Sequence, residues 1–189
     1  PTTALSNGAK VLARMKVAAN ATGDVSLNTL TMTFATTTAG ITSLNVYAYN
    51  DANFSQPALT GNADGAYLAA NRTDLGAIGS QNEFVPANGI LQIPAGGSRY
   101  LELRGTVSAS AAGASVQVNL IGDTLEYPKP AATFMSQAAT VNANVSVADQ
   151  DNFVWSPNST TTPVLATNDW TNGFGLGLPA SLQIGFLSQ

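Results

Sequence analysis

Apolar and polar residues alternate one by one along most of this 189-residue chain, in runs closed by Gly, Asn, Asp or Pro. A two-residue period puts successive side chains on opposite faces of a strand. No long segment repeats its apolar residues at i, i+3, i+4 and i+7, and the helix formers Glu and Lys occur only three times each. The chain is therefore expected to be all-β.

Val11, Ala13, Met15 and Val17 alternate with Leu12, Arg14 and Lys16, the pattern of a half-buried strand with its charges on one face. Asn20-Ala-Thr-Gly-Asp24 has the residues of a tight turn. It leads to a second strand over 25–34, and the two are expected to form a hairpin. In that second strand the apolar parity shifts between Val25/Leu27 and Leu30/Met32/Phe34, which predicts a β-bulge near Asn28. Ile41 to Tyr49 reads as a third strand, with Leu44, Val46 and Ala48 on one face and Asn45, Tyr47 and Tyr49 on the other. Residues 50–80 read as long loops, with a short edge strand near Ala66–Ala69. Short strands at Glu83–Val85 and Ile90–Ile93 flank a Pro86-Ala-Asn-Gly89 turn. Tyr100–Ser108 and Ser115–Ile121 read as a second hairpin, closed by Ala111-Ala-Gly-Ala114. About seven strands over 10–122 is the count of an immunoglobulin-like antiparallel β-sandwich.

Past Asp123 the character changes. The two prolines of Tyr127-Pro-Lys-Pro130 remove ladder donors and bar a central strand there. Residues 131–148 are weakly β-like, and Ser181–Ser188 has the pattern of one more strand. The expected organisation is a sandwich with an N-terminal strand over 1–125. A Pro/Thr-rich linker and extended C-terminal β/loop tail follow over 126–189, packing on the sandwich or on a neighbouring subunit.

Charge narrows the function. The chain holds 7 Lys+Arg, 11 Asp+Glu, no His and no Cys, and only 10% of it is charged, against about 25% in an average soluble domain. Without His or Cys there is no His-based triad, thiol nucleophile, disulfide or ordinary zinc site. A net charge of −4 argues against nucleic acid, whose binding needs a cationic surface. No run approaches the ~18 apolar residues of a membrane-spanning helix. A surface built from Thr, Ser and Asn in place of Lys and Glu suits an extracellular or cell-surface protein. Pro1 in place of Met suggests a processed chain or a piece of a longer precursor.

Several segments carry a family resemblance. They are Lys10-Val-Leu-Ala-Arg-Met-Lys-Val17, Gly23-Asp-Val-Ser-Leu27, Leu44-Asn-Val-Tyr-Ala-Tyr49 and Ile93-Pro-Ala-Gly-Gly-Ser-Arg-Tyr-Leu-Glu-Leu-Arg104. In the tail, Phe153-Val-Trp-Ser-Pro157 is followed by Asn168-Asp-Trp-Thr-Asn-Gly173 and Leu178-Pro179. Together they resemble a module and closing segment of predicted β-rich cell-surface proteins in ultrasmall candidate-phylum bacteria, Parcubacteria and relatives. The resemblance implies a secreted or wall-associated structural protein, usually the end of a longer polypeptide, and supplies no catalytic residue.

Candidate sites are few. Asp149 and Asp151, with Asn152 beside them, have the look of a calcium loop, but lack the Gly and the distal Glu of an EF-hand. Asn50-Asp51 with Asn53 is a weaker version. Asn20, Asn53, Asn71, Asn144 and Asn158 each begin an Asn-x-Ser/Thr triplet, frequent by chance in so Asn- and Thr-rich a chain. Asp123 and Glu126 lie close together, yet nothing else converges on them as a glycosidase would require. No cofactor and no enzyme activity are expected. Phe153, Trp155 and Trp170 are tail anchors by the area they can bury; with Tyr47, Tyr49 and Tyr67 they could instead stack sugars.

Two functions remain open. One is a self-assembling subunit of a filament, pilus-like fibre or surface layer, in which a terminal strand pairs outside its own sandwich. Leu182, Ile184 and Phe186 alternate as a donor strand requires, and Val11, Met15 and Val17 mark the N-terminal counterpart. The other is an adhesin or carbohydrate-binding module that takes a glycan on its 50–80 loops.

Overall fold

A computed structural model describes residues 4–58, 81–84, 90–108, 111–122, 153–158, 170–172 and 176–189. Every regular element in them is a strand: β1 Gly8–Ala18, β2 Val25–Thr37, β3 Gly40–Tyr49, β4 Gln81–Phe84, β5 Leu91–Ile93, β6 Ser98–Ser108, β7 Ser115–Ile121, β8 Phe153–Ser156, β9 Thr171–Asn172 and β10 Ser181–Ser188. The expected strand near Ala66–Ala69, the β-like stretch 131–148 and the acidic pair Asp149/Asp151 lie outside the described residues.

The strands make two antiparallel sheets, one ordered β1-β6-β3 and a second of seven strands built around β2. In the second sheet Leu30 pairs with both Phe84 and Phe153, so β4 and β8 lie on opposite sides of β2. Ser26 and Leu27 pair with both β5 and β8, and Met32 and Thr33 with both β4 and β7. Each flank of β2 is thus filled by two collinear pieces, β7 then β8 on one side and β4 then β5 on the other. β10 pairs with β7 and β9 with β8. The strands beyond residue 126 belong to the same sheet as β2, β4, β5 and β7.

The core lies between the sheets. Leu44, Val46 and Ala48 of β3, Leu101, Leu103 and Val107 of β6, and Val116, Val118 and Leu120 of β7 are all at most 4% exposed and share one cluster with Leu27, Leu30, Met32 and Phe34 of β2. Burying side chains of this kind stabilises by roughly 1.5–3 kcal/mol each. The predicted bulge sits where the parity shift puts it: the β2–β8 register jumps between Leu27 and Thr29, across Asn28.

Neither expected hairpin forms. β1 pairs with β6 and β2 with β7, so the turn after β1 and the turn after β6 both carry the chain from one sheet to the other. The loop at Asn20–Asp24 is tied to a different turn instead. The Asp24 carboxylate accepts the Ala95 N–H at 2.7 Å and the Gln92 side-chain N–H at 3.1 Å, and the Gly96 N–H donates to the Asn20 carbonyl at 2.8 Å. Two amphipathic strands linked by a tight turn can face each other across a core as readily as they can lie side by side. β4 and β5 likewise pair with β2, not with each other.

Candidate assembly site

The first and last strands of the two sheets run beside each other as a seam. The Leu5 N–H donates to the Ser188 carbonyl at 3.0 Å. The chain then turns into β1 at Gly8, whose φ of 105° an L side chain rarely adopts. Further along, a bulge in β1 between Val11 and Ala13 meets a bulge in β10 between Gln183 and Gly185. A Cβ on Gly185 would sit well under 3.0 Å from the Leu12 carbonyl oxygen and 3.1 Å from the Ala13 Cβ, so only glycine lets the edges close there.

Beyond this point the edges part and leave an apolar groove of about 490 Å³. It is lined by Met15 and Val17 of β1, Leu182 and Ile184 of β10, and Phe153 and Trp155 of β8. Among the described residues β6 is the sole strand paired with β1, so the outer edge of β1 along Ala13–Ala18 carries no ladder. Arg99, opposite Val17 in the ladder, has its Nε buried without a partner, and burial holds its guanidinium below the usual arginine pKa.

The large exposed apolar side chains gather along the seam: Val11 at 37%, Leu182 at 38%, Phe186 at 49%, and Leu176, which also lines the groove. Two of these correct the expected faces. The β1 bulge turns Leu12 inward, 2% exposed, and Val11 outward. The β10 bulge breaks the Leu182/Ile184/Phe186 alternation, so Leu187 is the buried residue and Phe186 faces solvent. A Gly within an alternating strand is the sequence signal for such a bulge. Both terminal strands pair within their own chain on one edge, β1 with β6 and β10 with β7.

Phe153 is 5% exposed in the main core, Trp155 is half-buried against it, and Trp170 is fully buried with Val154 and Ile90. A ring with no exposed face offers nothing to a sugar, which removes Trp170 as a stacking platform.

The outer face of β1-β6-β3 carries a polar lattice, of which the sequence showed only charges on one face of the first strand. Paired residues share a face, so Arg14, Glu102 and Tyr47 form one row and Lys16, Tyr100 and Tyr49 the next. Glu102, 1% exposed, takes Arg14 Nη2 on Oε2 and Arg104 Nε on Oε1, each at 2.6 Å. Arg104 also donates to the Tyr49 hydroxyl at 2.7 Å and stacks 4.2 Å over the Tyr47 ring. Arg14 lies 4.2 Å over Phe54, which packs edge-on against Tyr49 and Tyr100. Burial pushes the Tyr49 phenol up; burial opposes the Arg104 charge, but the Glu102 carboxylate outweighs it and raises that pKa.

Phe54 is held there by its loop. It has a φ of 55°, and the Asp51 carboxylate accepts the N–H groups of Asn53, Ser55 and Gln56 and the Ser55 hydroxyl. Asp51 therefore caps the turn that carries Asn53. Among the described residues no group of three or more acidic side chains could hold a metal ion, and no helix is long and apolar enough to cross a membrane.

No protein-family model, curated protein or solved structure matches the chain.

Proposed function

We propose that this protein is an extracellular structural subunit that assembles with copies of itself into a filament, pilus-like fibre or surface layer. The observation that carries the proposal is the half-open seam: an apolar groove lies against the edge of β1 that carries no ladder among the described residues, exposed Leu176 and Leu182 line it, and exposed Val11 and Phe186 lie on the same two terminal strands. Natural sheet proteins guard such edges with charge, Pro or a covering element, because an open edge templates pairing with another chain. A strand from a second copy, laid along Ala13–Ala18, would bond to the edge and place alternate side chains in the groove. Such a contact is heterologous, so it propagates instead of closing. In this reading the two sheets form an immunoglobulin-like sandwich of the kind the resemblance to bacterial surface proteins implies.

The carbohydrate-binding alternative has less support: Arg104 covers the Tyr47 ring and Trp170 is buried. Leu182→Lys and Phe186→Lys test the proposal, since both side chains are exposed and their loss leaves the core intact. The parent should sediment as concentration-dependent oligomers and give ordered particles by negative stain, and the double variant should stay monomeric. Equal assembly of parent and variant would remove the seam from the mechanism.

A further inference from the structure

The open edge of β1 carries two cations on one face. Arg14 shares a row with Glu102 and Lys16 shares one with Tyr100, so both lie on the outer face, while Met15 and Val17 pack toward the core. Neither charge is cancelled. Glu102 divides its single carboxylate between Arg14 and Arg104, and Lys16 meets only the Tyr100 ring, at 6.0 Å, among the described residues.

These cations decide what the edge can pair with. The simplest partner for an open strand is the same strand of a second copy, related by a two-fold axis. Residues that oppose each other in an antiparallel pair share a face of the sheet, and a one-residue slip exchanges the faces. Along Ala13–Ala18 this leaves two longest registers. One is centred on Met15, pairs Ala13–Val17 with its counterpart, and sets Arg14 against Lys16 twice. The other is centred on Lys16, pairs Arg14–Ala18 with its counterpart, and sets Lys16 against Lys16. Directly opposed side chains have Cβ atoms about 4.5–5.5 Å apart, and like charges at that spacing are destabilising.

We infer that Arg14 and Lys16 bar β1 from pairing with itself across a two-fold axis, and so direct the open edge to a different strand of a second copy, one without cations on its outer face. The inference rests on the assembly proposed above and names the residues that keep it open-ended. A two-fold contact uses up both edges and stops at a dimer, whereas pairing with a different strand leaves each new copy with its own β1 edge free. Edge charges, Lys above all, are a common guard against unwanted strand pairing. Here the guard is selective: it stands on the outer face, and the groove on the inner side of the same edge is lined by Met15 and Val17.

Sedimentation equilibrium of the full chain, parent beside Lys16→Glu, tests this. Lys16 is exposed and its change removes only the ring contact, so the melting temperature at low protein concentration should hold. In the variant, the register centred on Met15 opposes Arg14 to a carboxylate twice. The variant should therefore form a discrete dimer in place of open-ended assemblies. That dimer should weaken about tenfold or more between ~0.02 and ~0.5 M NaCl, as screening of exposed charges requires. A variant that assembles like the parent, or that stays monomeric, would overturn the role of the two cations and leave the seam to be judged by the Leu182 and Phe186 variants. A variant that dimerises beside a parent that never associates would uphold the bar on self-pairing and overturn the assembly.

Discussion

Gly185→Ala is the smallest change that probes the seam. The added methyl lands well under 3.0 Å from the Leu12 carbonyl oxygen, 3.2 Å from the Leu12 carbonyl carbon and 3.1 Å from the Ala13 Cβ. Two of these atoms are backbone, so no side-chain rotation relieves the overlap. β10 must shift away from β1, or the β1 bulge must flatten and withdraw Leu12 from the core. Overpacking of this kind costs about 1–3 kcal/mol, and a backbone neighbour places it at the upper end. For a chain of this length each kcal/mol moves Tm by about 2–4 °C, so a fall of roughly 4–12 °C is expected. The assay is thermal unfolding by circular dichroism at one low protein concentration, because assembly would itself raise apparent stability. Gly23→Ala is the control: Gly23 has open space around it and its φ lies outside the left-handed region, so its change should be neutral or stabilise by about 0.4–1 kcal/mol. Equal melting of Gly185→Ala and the parent would refute the close approach of β1 and β10.

Three further outcomes are expected. Glu102→Gln leaves two guanidiniums without their shared carboxylate and should lower stability by about 1–3 kcal/mol, read as a lower urea midpoint at unchanged slope. Trp170→Ala empties a fully buried site beside Val154 and should cost about 3–5 kcal/mol, read by thermal melting. The Asp51 carboxyl feels desolvation that would raise its pKa, but its hydrogen bonds to Gln56, Ser55 and Asn53 hold it below the ordinary 3.8. A depressed pKa contributes stability that is fully present above the unfolded value and is lost as pH falls through the folded one. The Tm gap between parent and Asp51→Asn should therefore be constant near neutral pH and close under acid; a gap that widens on acidification would contradict the turn-capping role.

The sequence announced the strands more plainly than their neighbours. Period-two alternation assigned Leu44, Val46 and Ala48 to the core and placed Val116, Val118 and Leu120 with them, because a strand's faces follow from its own residues. Partner choice does not. The turn at Asn20–Asp24 looks like a hairpin turn, but its Asp24 carboxylate is spent on Ala95, and the chain crosses to the other sheet. Bulges were legible where two apolar registers meet, as at Asn28, and Gly185 marked the one in β10; at Leu12 the neighbours Val11 and Ala13 are apolar on the other parity, which hid the shift. The groove was invisible for a different reason. It arises from where two edges diverge, and it joins Met15, Trp155 and Ile184 from three distant parts of the chain.

The central claim is that a second copy pairs with the open edge of β1, and amide hydrogen exchange at Ala13–Ala18 tests it most directly. Amides on that edge that do not bond to β6 should exchange freely in dilute monomer. In the assembled protein they should slow by about tenfold or more, since each new ladder bond must open before exchange. Equal exchange at those amides in the dilute and assembled protein would contradict strand pairing at β1.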